Sequence, residues 1–358
     1  MGYSRGGREI RLGSVAATWV EVMNTQFRSL GCARESLDDL ISAARDTSPV
    51  AGLTHNFYKY PARFSPKFVR AAIRAFTSPG DLVFDPFMGG GTTLVEALYL
   101  GRDAVGVDIS SLAAFVSEVK TTLYSDADLK KVDLWVREAI QSVNVHAETS
   151  TEGIEAPPGY KRHLDRRATW RLSKATEQAL ATAVQLSPSR LEQFARCAIL
   201  RTAQWALDSR KRLPPINEFR RTLLATTSSM VHGARDFRQA VEQHRARGIP
   251  TARCLTRSTD GVDSDPLWKE FKKPKLVITS PPYPGIHVLY HRWQVDGRKE
   301  TPAPPKAQVA STKARTAPPP TYFPHIADVI SGNFRWPVSS GSRSSARRAG
   351  QVPDAAAV

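Results

Sequence analysis

The run Leu82-Val83-Phe84-Asp85-Pro86-Phe87-Met88-Gly89-Gly90-Gly91-Thr92-Thr93 fixes the class of fold. Three apolar residues read as a short buried strand. A glycine run follows, and Thr92 to Leu100 then has the composition of a helix closed by Gly101. Ala104 to Val107 is a second apolar run, and it ends in Asp108. Strand, tight loop, helix and strand in this order predict a βαβ unit, whose two strands must be parallel. The expected fold is therefore α/β. Ser78-Pro79-Gly80-Asp81 marks the turn into the first strand, and Pro66 to Phe76 predicts a helix before it.

The loop also points to a ligand. Ligands of open α/β sheets bind at the carboxyl ends of the strands. Glycines let the backbone approach such a ligand, and the next helix offers free N–H groups. Asp108 stands 23 residues after Asp85, a spacing that suits a carboxylate receiving ribose hydroxyls. Taken alone, the loop fits NAD, S-adenosylmethionine or a purely structural turn. The third glycine of the dinucleotide pattern is replaced by Thr92-Thr93, and no Gly-Lys-Ser/Thr is present to make a nucleotide triphosphate loop.

A second run, Thr279-Ser280-Pro281-Pro282-Tyr283, follows the apolar Leu276-Val277-Ile278. Two prolines stiffen a turn and remove its N–H groups. Ser280 offers a hydroxyl and Pro281 a carbonyl as hydrogen-bond acceptors, and Tyr283 offers a ring for a planar base. An exocyclic amino nitrogen is a poor nucleophile because its lone pair is delocalised, and acceptors on its hydrogens push it toward tetrahedral geometry. A proline-rich turn is the plain alternative in a chain with 25 prolines. Its place after a buried strand, downstream of a ligand loop, favours function. His287 and His291 lie just beyond, and residues of this kind more often serve surface or core roles. Tyr290 and Trp293 read as packing residues or pocket lining.

Together the two runs resemble the paired motifs of the DNA amino-methyltransferases. The Asp-Pro-Phe-x-Gly-x-Gly-Thr-Thr pattern at 85–93 is similar to their S-adenosylmethionine motif. The segment His55-Asn56-Phe57-Tyr58-Lys59-Tyr60-Pro61-Ala62-Arg63-Phe64 is similar to a cofactor-flanking motif in one subset of them, and Ser-Pro-Pro-Tyr to their catalytic motif. The resemblance implies a Rossmann-like methyltransferase sheet and S-adenosylmethionine as cofactor. It implies that Asp85 and Phe87 flank the methionine part, that Gly89 and Gly91 shape the loop at the start of the Thr92 helix, and that Asp108 holds the ribose. It further implies that Phe64 and Pro66 cover the cofactor, and that Ser280, Pro281, Pro282 and Tyr283 form the catalytic turn. Serine in the first place is commoner in cytosine-N4 enzymes, so cytosine N4 is the expected target, with adenine N6 as the alternative. A cytosine-C5 enzyme needs a nucleophilic cysteine, usually after proline, and none of Cys32, Cys197 and Cys254 follows proline.

The rest of the chain divides by texture. Residues 1–50 read as mostly helical, 51–120 as the cofactor-binding half, 121–250 as a helical insertion, 251–301 as the catalytic half, and 302–358 as a low-complexity, disordered tail. Between Lys161 and Arg253 there are 19 Lys/Arg against 7 Asp/Glu, giving +12 within a chain of formal net charge +16. Charge of this size attracts phosphate backbones, so DNA is the expected partner and the insertion the expected contact. A solvated helical surface is the alternative.

The cysteine spacings predict a reducing compartment and no metal site. No apolar stretch reads as a signal peptide or membrane span, so a cytoplasmic protein is expected. The resemblance adds a cognate restriction endonuclease as a partner. The family's sheet continues for three strands past the catalytic turn, and no such strands are legible here. A premature end or a frame shift near Pro304–Lys306 would explain this, and a catalytically dead DNA-binding relic is the corresponding second reading. An RNA methyltransferase is a third.

Overall fold

The two predicted strands pair in parallel, and two later ones join them. The computed structural model describes residues 34–60, 63–148, 168–269 and 271–281, with short strands at 294–295 and 298–299. β1 (Leu82–Asp85) lies between β2 (Asp103–Asp108) and β4 (Leu276–Val277), and β3 (Ala252–Thr256) adds outside β2. The order is β3-β2-β1-β4, all parallel, with Leu82 opposite Asp103, Phe84 opposite Val277, and Asp108 opposite Thr256.

Side chains of β1 alternate between two cores, as strand geometry requires. Val83 joins Ala104 and Leu276 under α2 (Pro66–Phe76) and α3 (Thr92–Tyr99), through Val69, Ile73, Leu94, Val95 and Leu98. Leu82 and Phe84 face the other way with Val105 and Val107. There they meet Val262 and Trp268, whose ring stands edge-on to Phe84 at 5.4 Å. Among the described residues this second face is covered by short 3-10 turns at Val262–Ser264 and Pro266–Lys269. Helix α1 (Arg34–Arg45) sets Leu37 and Leu40 on Ala72 of α2.

α4 (Ser111–Thr121) leads away from β2 into a helical bundle. Its members are α5 (Asp126–Ser142), α6 (Trp170–Ala183), α7 (Ser189–Leu207) and α8 (Ile216–Glu242). A capping box between Ser125 and Asp128 starts α5. Arg190 then ties α7 to that end by hydrogen bonds of 2.8 and 3.0 Å to Asp128. The bundle core holds Leu129, Val132, Trp135, Phe194, Phe219 and Met230, joined by Phe57 from the loop before α2. α8 serves both cores, because Phe237 and Val241 at its far end are buried under the sheet.

The predicted helices over 66–76 and from Thr92 are present as read. The helical reading of residues 1–50 is met over Arg34–Arg45, and its earlier part lies outside the described residues, as does the 302–358 tail. The strand β3 was not anticipated. Gln294–Val295 and Arg298–Lys299 pair antiparallel, apart from the parallel sheet. No helix among the described residues is long and apolar enough to cross a membrane.

Candidate active site

The glycine loop sits where β1 ends. Gly91 takes φ +71, a left-handed conformation that L side chains rarely adopt, and a Cβ there would fall 2.5 Å from Ser117 Oγ. Its N–H closes the turn onto the Met88 carbonyl at 2.8 Å. Asp108, at the end of β2, accepts from the Gly89 N–H at 3.0 Å and from the Ser110 N–H at 2.9 Å. The carboxylate expected to hold a ribose therefore also sets the loop. Beside it, Ile109 is 69% exposed, a large apolar side chain held in the open at the rim.

Asp85 is buried at the base of the loop and accepts from the Phe87 N–H at 3.1 Å. Burial pushes its carboxyl up to about 6. The Thr93 and Thr279 hydroxyls stand beside it and pull in the opposite direction, but neither makes a well-aligned hydrogen bond, and both oxygens are buried without a partner. A buried carboxyl between two such hydroxyls fits a polar, cationic ligand arriving from the loop side.

From the opposite side α4 pins the loop. Ser117 donates to Gly89 O at 3.2 Å and the Lys120 ammonium to Gly90 O at 2.6 Å. Lys120 is fully buried. Burial, helped by the charge of Arg63, pushes it down to about 7. Tyr60 leans over the same loop, so that a Cβ on Gly90 would lie 2.8 Å from Tyr60 Cβ.

The segment carrying Tyr60 is held from the bundle. Gln204 of α7 accepts from the Lys59 N–H at 3.2 Å and donates to the Lys59 carbonyl at 2.9 Å, which pairs with the peptide as a neighbouring strand would. On the sheet side, His55 Nε2 meets Glu96 of α3 at 2.8 Å, and Arg70 of α2 reaches the same carboxylate at 2.6 and 3.0 Å. Burial would raise Glu96, but its two partners outweigh that and hold it below the usual carboxylate range. Burial pushes His55 down, so the ring is neutral and its Nε2 carries the proton facing Glu96. None of Ser117, Lys120, Gln204 or Glu96 was singled out from the sequence.

The second motif arrives on the neighbouring strand. Ile278 N–H bonds to Phe84 O at 3.0 Å, which carries the β1–β4 pairing one residue beyond β4. Thr279, Ser280 and Pro281 then leave the sheet, half-buried, with the Thr279 hydroxyl beside Asp85. Asp85, Phe87, Gly89, Gly91, Thr92, Asp108, Ser280 and Pro281 thus all lie at or just beyond the carboxyl ends of the parallel strands β2, β1 and β4. Pro282 and Tyr283 lie outside the described residues, as do His287, Tyr290, His291 and Trp293. Pro66 is buried as the first residue of α2, and Phe64 packs 5.7 Å from Phe68. The side chain standing over the glycines is that of Tyr60.

Residues 19–115 match the DNA methylase family model N6_N4_Mtase. This part of the chain is similar to the DNA amino-methyltransferases. Over 94 residues the chain is 36% identical to the type II methyltransferase M.MjaII of Methanocaldococcus jannaschii, a match covering 26% of this chain and 17% of that protein. It is 29% identical over 113 residues to the type II methyltransferase M.MvaI of Kocuria varians, covering 31% and 25%. A tRNA (guanine(10)-N2)-dimethyltransferase of M. jannaschii is 30% identical over 109 residues, covering 29% and 30%. The chain therefore spans a minor part of the length of these relatives. No solved structure matches it. Enzymes of this family use S-adenosylmethionine as methyl donor.

Proposed function

We propose that this chain is a site-specific DNA methyltransferase that acts on the exocyclic N4 of cytosine, in a restriction-modification system with a cognate endonuclease. The observation that carries the proposal is the β1–β4 pairing, which brings Thr279, the residue just before Ser280-Pro281, beside Asp85 at the base of the glycine loop. A methyl donor on the loop and an amino group at the turn would be neighbours, as an in-line transfer needs.

S-adenosylmethionine would supply an electrophilic methyl group carried on a sulfonium. Asp108 would accept its ribose hydroxyls, with Ile109 as an apolar face for the purine. Asp85 would become ionised against the ligand's positive charge. Gly89 and Gly90, backed by Tyr60 and tied by Ser117 and Lys120, would give the ligand a rigid, side-chain-free wall. On the substrate side, Ser280 Oγ and Pro281 O would accept hydrogen bonds from the amino group as its nitrogen attacks, a contact strongest in the transition state. Tyr283 would stack on the extruded base. The basic stretch from Lys161 to Arg253 would engage DNA phosphates.

Transfer of a labelled methyl group to DNA, followed by nucleoside analysis, tests this. N4-methylcytosine is the expected product. N6-methyladenine alone would overturn the base assignment. Label entering RNA in place of DNA would move the chain toward its tRNA-modifying relative. Cofactor binding with no transfer to any nucleic acid would leave an inactive relic.

A further inference from the structure

Many basic side chains that come into the fold are met by a carboxylate. Arg70 has Glu96, Arg190 has Asp128, Arg196 has Glu192, Arg238 has Asp126 and Arg257 has Asp265. Others donate to neutral atoms, as Arg102 does to Thr77 and the Leu100 carbonyl. Among these, Arg63, Lys120 and Arg201 come from three separate elements and act on one another, and none has an ion-pair partner among the described residues.

Their hydrogen bonds go to neutral atoms only. Arg63 Nη1 donates to His55 O at 3.3 Å and to Asn56 Oδ1 at 3.4 Å, Lys120 to Gly90 O at 2.6 Å, and Arg201 Nη1 to Gln204 Oε1 at 3.4 Å. All three are drawn at least partly out of solvent, and Arg63 repels both others. Arg201 also faces Tyr58 and the Cys197 thiol, which burial pushes up to about 12. Like charges brought together and partly dehydrated oppose folding unless a counter-charge arrives. The neutral contacts leave most guanidinium donors of Arg63 and Arg201 available, and guanidinium forks suit oxyanions.

We propose that Arg63 and Arg201, with Lys120 beneath, form a seat for an oxyanion at the seam between the helical bundle and the glycine loop, and that a backbone phosphate of the nucleic acid fills it. The seat rests on the methyltransferase reading for the source of its anion. The seam places it beside the glycine loop, through Lys120 and Gly90. Arg63 follows Tyr60 by three residues, Arg201 precedes Gln204 by one helical turn, and Gln204 grips Lys59. A phosphate bound here would sit between the loop that carries the cofactor and the helices that carry the positive charge. The cofactor's own carboxylate shares this chemistry, and the experiment separates the two.

The full chain is titrated with inorganic phosphate at constant ionic strength by calorimetry, alongside Arg63→Gln, Arg201→Gln and Arg171→Gln. Arg171, on α6 over Trp170, is an exposed control. Affinity should fall about tenfold in the first two variants and hold in the third, as for loss of a charge-assisted contact. With DNA, the log–log salt slope should shrink by about 1 in each of the two seat variants, while S-adenosylmethionine affinity stays put. Weaker phosphate binding with a tenfold loss in S-adenosylmethionine affinity, and an unchanged DNA slope, would keep the seat and assign it to the cofactor carboxylate. Unchanged phosphate affinity in both variants overturns the seat. If the parent binds phosphate through these residues yet binds neither DNA nor RNA, the methyltransferase reading falls and the anion seat stands. Either variant suffices if the other fails to fold.

Discussion

Replacing Asp85 with asparagine should stabilise the free protein at neutral pH and cost it cofactor affinity. Burial raises this carboxyl from 3.8 to about 6, so the folded chain holds its proton more tightly than the unfolded chain. The stability it contributes is present below about pH 4 and is lost as pH rises through 6. The loss amounts to at most about 3 kcal/mol. Thermal melts from pH 4 to 8 should show a decline for the parent that is shallower in the variant, and parallel curves would refute the assignment. Binding of a sulfonium ligand should tighten over the same interval as Asp85 ionises. Ser280→Ala separates rate from binding. It should lower methyl transfer about 100-fold, as loss of one transition-state hydrogen bond does elsewhere, with S-adenosylmethionine affinity unchanged in calorimetry. A rate equal to the parent's would remove Ser280 from the chemistry.

Among the elements, the segment from Leu53 to Tyr60 links most of the others. Gly233, in the middle of α8, makes room for it, since a Cβ there would fall 2.2 Å from Leu53 O. Gly→Ala in a helix normally gains about 1 kcal/mol. Here Gly233→Ala should lower the melting temperature, and a rise would show that the segment yields easily. Gln204→Ala should weaken S-adenosylmethionine binding several-fold by loosening Lys59 and Tyr60. A raised KM for cofactor with kcat and DNA affinity kept would mark positioning, whereas equal loss of every parameter would mark general destabilisation.

The sequence made β1, the glycine loop, α3 and β2 legible because each is a local pattern of apolar runs and glycines. It did not reveal β3, whose Ala252–Thr256 lies at the sheet edge with Arg253 and Thr256 exposed and has no continuous apolar run. Gln204 escaped notice for a different reason. Its partner is 145 residues away, and no local pattern encodes that contact. Lys120 reads as an ordinary helical lysine until α4 is packed against Gly90.

For the whole molecule, charge is the term readable at a distance. A formal +16 on 358 residues predicts DNA binding that falls steeply with salt, by about 0.9 in log–log slope for each phosphate contacted. Filter binding or anisotropy between 50 and 200 mM salt measures it, and a flat response would exclude phosphate contacts. The division into a cofactor half, an insertion and a catalytic half was drawn from texture, and texture does not show how packing crosses those lines. α8 begins in the bundle core at Phe219 and Leu223 and ends beneath the sheet at Phe237 and Val241. That shared helix bears on how such a protein can diversify. A recombination event that swapped the stretch between β2 and β3 for a relative's would strip the sheet of part of its floor and Tyr60 of its tether. A segment inherited from a relative would therefore have to bring residues that match the sheet as well as the bundle, at the positions of Phe237 and Val241.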